Sequence, residues 1–146
     1  AYTTASYIAQ PHDQEVIKIP EFREIHFGKW EGLTRKEIAQ MKEYDFNGWI
    51  NSPHTQQFPG EGSLQAVQKR IMKGMEQILD KECNHNILIV SHGGSLKIII
   101  LSLLGLDLSF YQKIWLGNTS LSIINIGNNN HCVLNLLNDM SHLEYY

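Results

Sequence analysis

Cysteine is scarce. Cys83 and Cys132 are the two thiols in 146 residues, far apart and without C-x-x-C or Cys/His ligand spacing. A disulfide framework and a zinc site are therefore not expected, no metal is called for, and a reducing cytoplasm fits best. A long apolar run is missing as well. The most apolar stretch, Leu96 to Leu106, is broken by Lys97 and Ser102 and falls short of the roughly 18 residues of a membrane span, so no transmembrane helix is expected. Neither sign of charge dominates. Twelve basic and 15 acidic side chains leave a net charge of −3, with Lys and Arg scattered, which argues against nucleic acid as a partner. The first residues, Ala-Tyr-Thr-Thr-Ala-Ser, have no Met, basic n-region or apolar h-region and do not read as a signal peptide. Also absent are G-x-x-x-x-G-K-[ST], a G-x-G-x-x-G after a strand, and G-x-S-x-G, which argues against P-loop, dinucleotide-binding and serine-hydrolase chemistry.

What is present suits an ordinary globular domain, 42% hydrophobic and 18% charged. A chain of this length buries roughly 68–70% of its unfolded surface, enough for a core without staples. One domain over 1–146 is expected. Residues 1–9 read as the tail of a helix, and Glu15 to Ile19 as a short strand closed by Pro20. Thr34 and Glu37 have capping-box spacing, which predicts a helix from Thr34 to about Tyr44. A greasy segment with Phe46, Trp49 and Ile50 precedes a breaker-rich loop over 51–62. Ser63 can cap a helix whose apolar positions Leu64, Val67, Ile71, Met75, Ile78 and Leu79 run to about Lys81. Ile87-Leu88-Ile89-Val90 has no alternation, as in a strand covered on both faces of a parallel sheet. A helical stripe from Ser95 ends at Gly105, and Ser120 to Ile126 with Cys132 to Leu137 read as a hairpin.

Chemistry is concentrated in two segments. At the junction His92-Gly93-Gly94 a buried strand meets a helix, the place where open α/β sheets bind ligands. Gly93 and Gly94 let main chain approach a ligand, and the helix start favours an anion. His92 is either a donor to phosphate oxygens or a strand-end histidine bonded to a neighbouring carbonyl. The other segment, Phe22 to Gly32, mixes charges, aromatics and glycines without period. Glu24 there is a candidate general acid or a solvated carboxylate paired to Arg23. His26 is a ligand contact or a loop brace, Trp30 a packing anchor, and Glu31 a bracing carboxylate.

The runs Arg23-Glu24-Ile25-His26-Phe27-Gly28-Lys29-Trp30-Glu31-Gly32-Leu33-Thr34, Phe58-Pro59-Gly60-Glu61-Gly62-Ser63-Leu64 leading into a helix with Arg70, Ser91-His92-Gly93-Gly94, and Gly117-Asn118-Thr119-Ser120 occur in that order. Together they resemble the histidine phosphatase superfamily, which also holds the cofactor-dependent phosphoglycerate mutases, and within it most of all the α-ribazole phosphatases of cobalamin biosynthesis. The resemblance covers nearly the whole chain. It implies an α/β fold, a mostly parallel sheet with helices on both faces, and hydrolysis of a small-molecule phosphomonoester through a phosphohistidine, without cofactor. It implies Glu24 as general acid, His92 as the second histidine on the phosphate, and Gly93 and Asn118 as phosphate contacts, with His26 of the same loop as Glu24 a further candidate substrate contact. Ser63 is assigned as a helix cap and Arg70 as a helix-face ion pair.

Two departures matter. The superfamily's nucleophile lies in an Arg-His-Gly triplet on its first strand, and no such triplet occurs here. The order Gly60-Glu61-Gly62-Ser63 also inverts the usual Gly-Gly-Glu-Ser, which leaves the role of Glu61 open. The expectation is a single domain lacking its N-terminal strand and inactive alone. A phosphoglycerate mutase and a non-catalytic anion-binding scaffold are the alternatives. Only 36 positions separate Glu24 from Gly60, where mutases of this group look longer.

Overall fold

Residues 1–82, 85–127, 129 and 131–143 are described in this computed structural model, and they form five α-helices and one β-hairpin. The first helix, α1 (Tyr2–Ala9), runs on as a 3-10 turn through His12 and stops where Asp13 takes a left-handed φ of 50°. In α2 (Arg35–Gln40) the capping box forms as its spacing predicts. The Glu37 amide donates to Thr34 Oγ1 at 3.3 Å, and the Thr34 amide to Glu37 Oε2 at 2.7 Å. This helix ends at Met41 rather than near Tyr44, because Met41 and Tyr44 both turn onto the core. A fresh cap restarts the chain, with the Gly48 amide donating to Asp45 Oδ1 at 2.8 Å ahead of α3 (Phe46–Asn51).

Ser63 caps α4 (Leu64–Leu79) through the Ala66 amide at 3.2 Å, and the stripe Leu64, Val67, Ile71 and Met75 is buried as its period predicts. The last helix, α5 (Gly93–Leu103), packs on α4 and buries Ile98, Ile99 and Leu101. It begins two residues before the expected Ser95. Its end is a Schellman motif: Gly105 has φ +65°, and the Leu106 amide donates to the Leu101 carbonyl at 2.9 Å.

The sheet departs from expectation. Among the described residues it is a two-stranded antiparallel hairpin, β1 (Leu121–Ile126) against β2 (Cys132–Asp139), with Ile124 opposite Leu134. The expected strands at Glu15–Ile19 and Ile87–Val90 are not formed, so no parallel pair exists there. A strand is a ladder of hydrogen bonds, and no described residue supplies either segment with a neighbour; Ile17, Ile87 and Leu88 are correspondingly exposed. Cys83 and the turn residues Asn128 and Asn130 lie outside the described residues.

Aromatic rings fill the centre of the core. Phe27, Trp30, Trp49 and Phe58 interlock, with Trp49 and Phe58 centroids 4.8 Å apart and Phe27 and Phe58 5.2 Å apart. Trp30 is thus the packing anchor expected. Trp49 and Phe58 are core as well. No described helix is long and apolar enough to cross a membrane.

Candidate active site

The loop from Phe22 to Gly32 lacks period because it is built from two 3-10 turns, Pro20–Phe22 and Gly28–Trp30, pinned by the buried Phe22, Ile25 and Trp30. Polar clamps hold it from both sides. On one side Arg70 of α4 pairs with Glu61, Nε to Oε1 at 2.6 Å and Nη2 to Oε2 at 3.0 Å, while its Nη1 donates to the carbonyls of Glu21 and Arg23. Glu61 also takes Arg23 Nη2 at 2.8 Å and the His26 amide at 3.0 Å. Burial pushes the Glu61 carboxyl up, but Arg70, the His26 amide and the charge of Arg23 outweigh it and hold it below the usual carboxylate range. The Glu61 amide returns to the His26 carbonyl at 3.1 Å, an approach possible because residue 60, at φ +86°, has no Cβ to strike that carbonyl.

On the other side the loop is fastened to the start of α5. Ser91 Oγ donates to the Phe22 carbonyl at 2.5 Å, and Ser95 Oγ to the Arg23 carbonyl at 2.6 Å. Between these bonds the Glu24 carboxylate accepts the Gly94 amide on Oε2 and the Ser95 amide on Oε1, both at 3.1 Å, together with the Ile25 amide at 2.9 Å. A carboxylate on the first free amides of a helix meets both unsatisfied donors and the positive end of the helix dipole. Glu24 does not pair with Arg23, whose guanidinium goes to Glu61.

The two glycines have different work. A Cβ on Gly94 would lie 2.7 Å from Glu24 Oε1 and 3.1 Å from the Tyr111 hydroxyl, so this glycine admits the carboxylate. A Cβ on Gly93 would meet nothing within 4 Å, and the position is open to solvent. His92, the N-cap of α5, is exposed too, and among the described residues no hydrogen bond engages its ring, that to a neighbouring carbonyl included. One helix start therefore gathers a held carboxylate, an open backbone position and an imidazole with free nitrogens. That set can bind an anion and move a proton at it.

The other two candidates lie apart from this cluster. His26 is exposed, its ring 3.7 Å from Glu31 Oε1, and its backbone braces Glu61. Asn118 is exposed in the turn before β1, and nothing among the described residues links it to Glu24 or His92. Conversely, Ser91, Ser95, Lys97 and Tyr111 were not singled out as site residues. Serines on either side of His92-Gly93-Gly94, a lysine in a helix and a tyrosine in a 3-10 turn announce no chemistry by themselves, and only their proximity to the Glu24 loop reveals them. No group of three or more metal-ligating side chains occurs among the described residues.

Residues 1–140 match the sequence profile of the histidine phosphatase superfamily (branch 1). The chain belongs to that superfamily. Among relatives of this superfamily domain, phosphoserine phosphatase 1 of Hydrogenobacter thermophilus is 33% identical over 146 residues, covering 99% of this chain and 69% of its own length. The adenosylcobalamin/α-ribazole phosphatase of Escherichia coli is 31% identical over 73% of this chain and 52% of its own. The α-ribazole phosphatase structure from Shigella flexneri superposes with a TM-score of 0.80 at 28% identity, covering 95% of this chain and 68% of that one. The superfamily domain thus has a mixed α/β fold of the phosphoglycerate mutase-like kind. Relatives named for both phosphoserine and α-ribazole stand around it.

Proposed function

We propose that these residues belong to the catalytic domain of a phosphomonoester hydrolase that works through a phosphohistidine. The observation that carries this reading is the helix start at which the Glu24 carboxylate is held by the Gly94 and Ser95 amides, with His92 and Gly93 open beside it. His92 donates to an equatorial oxygen of the transferring phosphoryl group, the Gly93 backbone approaches a second oxygen, and Glu24 protonates the leaving alkoxide and later takes a proton from water. No Arg-His-Gly triplet occurs in residues 1–146, so the nucleophile is a histidine these residues do not include, and they are inactive without it. The substrate is a small phosphomonoester. α-Ribazole phosphate is the reading drawn from the sequence resemblance, and phosphoserine is the second, favoured by a relative matched over 99% of this chain. A reducing cytoplasm is the location this reading takes, in keeping with the scarcity of cysteine.

The test is phosphate release from p-nitrophenyl phosphate, α-ribazole phosphate and phosphoserine by the full-length protein carrying these residues. His92→Ala abolishes turnover, and Glu24→Gln lowers kcat about 10²–10⁴-fold, the usual contribution of a general acid. Turnover by Glu24→Gln within threefold of the wild type would remove Glu24 from the mechanism. No turnover of any ester would leave an anion-binding scaffold.

A further inference from the structure

Lys97 has no part in holding the loop or the phosphate, yet its side chain is half-buried and lies in the wall of a cleft. The cleft holds about 340 Å3, with Phe27, Trp30, Trp49 and Tyr111 among its apolar walls and Arg35 as a second cation. Glu24 and His92 are not in that wall; Tyr111 and Lys97 connect the two places. The Tyr111 hydroxyl stands at Gly94, where it approaches Glu24, and the Tyr111 ring lies 5.0 Å beneath the Lys97 ammonium, with Trp115 at 5.9 Å. Among the described residues no hydrogen bond or ion pair holds that ammonium. Burial pulls it below the usual lysine range, while the charge of Glu24 works the other way. A cation taken partly out of water, with ring faces against it and Glu24 acting on it only through space, keeps hydrogen-bonding capacity for an anion.

Its position on α5 says where that anion belongs. Lys97 follows Gly94 by three residues and so lies on the same helix face, one turn along. From Gly93 it is about 6 Å of helix rise, and side chains lean toward the helix N-terminus, which brings the ammonium back toward the phosphate position. A phosphorylated three-carbon acid spans such a gap. We infer that Lys97 determines specificity by binding a carboxylate on the substrate, two or three bonds from the ester oxygen, while the phosphate occupies the start of α5. This rests on the phosphatase reading and deepens it: the substrate is a phosphomonoester with a second anionic group, such as phosphoserine, in preference to α-ribazole phosphate, whose remainder carries no carboxylate.

The experiment compares O-phosphoserine with O-phosphoethanolamine, which differs only by the missing carboxylate, using full-length wild type, Lys97→Met and Lys97→Arg. Wild type prefers phosphoserine; Lys97→Met lowers the phosphoserine to phosphoethanolamine ratio of kcat/KM about tenfold or more, and Lys97→Arg keeps most of it. p-Nitrophenyl phosphate changes less than threefold in either variant. An unchanged ratio overturns the inference and leaves the phosphatase reading intact. If wild type turns over none of these esters, the phosphatase reading falls, and calorimetric titration of the same two ligands decides the role of Lys97 alone. Weaker binding of phosphoserine only, in Lys97→Met, upholds it; equal binding, or none by wild type, overturns it. Lys97→Gln replaces Lys97→Met if circular dichroism shows that the methionine variant does not fold.

Discussion

Replacing Arg70 by alanine tests whether the clamp on the Glu24 loop is a source of stability or a surface ornament. The two partners of the pair are each 12% exposed, so the carboxylate left behind is largely out of water. Removing one member of such a pair costs about 3–5 kcal/mol. Glu61 retains Arg23 at 2.8 Å and the His26 amide, which points to the lower end, about 3 kcal/mol. For a domain of this size that is a fall in Tm of about 6–12 °C, read by circular dichroism on wild type and Arg70→Ala. The pH dependence adds a second check. The Glu61 carboxyl is held below its unfolded value, so its contribution is present above about pH 4.3 and is lost as pH falls through the lower folded value. The stability gap between wild type and Arg70→Ala therefore narrows below that pH. A loss under 1 kcal/mol at pH 7, or a gap that stays constant down to pH 3, would refute the assignment. Because Arg70 also holds the carbonyls of Glu21 and Arg23 just before Glu24, Arg70→Ala reduces kcat beyond what unfolding explains.

Gly94→Ala puts a methyl group 2.7 Å from Glu24 Oε1 and 3.0 Å from Ile25 Cδ1, so the carboxylate must shift; kcat/KM falls about 10²-fold, and a fall below threefold contradicts the geometry. Gly60→Ala places a side chain at φ +86° and against the His26 carbonyl, so urea unfolding shows a loss of about 2 kcal/mol or more, and an unchanged midpoint disposes of the crossing described for these two loops.

Helix caps and stripes were legible in the sequence because they are local. Thr34 with Glu37, Ser63 with Ala66, and the period of α4 each involve residues three or four apart, and the structure repeats them. The pairing of the hairpin was legible too, but that of the strands expected at Glu15–Ile19 and Ile87–Val90 was not. Ile87-Leu88-Ile89-Val90 has the composition of a covered strand, but a strand is defined by its neighbour, which a local pattern does not contain. The same distinction divides the site. His92, Gly93 and Gly94 announce a ligand-binding turn by themselves, whereas the partner of Glu24 lies 70 residues away. The inverted Gly60-Glu61-Gly62-Ser63 order left Glu61 without a role. The structure supplies one, since its carboxylate is the shared acceptor of Arg23, Arg70 and the His26 amide.

That separation of 70 residues also has a timetable. At about 5–20 residues per second of synthesis, Glu24 leaves the ribosome roughly 4–14 s before Gly94 and Ser95. Phe27, Trp30, Trp49 and Phe58 all precede residue 60, so the aromatic centre has its members early, and Arg70 can reach the Glu21 and Arg23 carbonyls next. The carboxylate is thus framed before the helix start that receives it has been made. A nascent chain halted before α5 carries Glu24 with only the Ile25 amide of the three amides that hold its carboxylate.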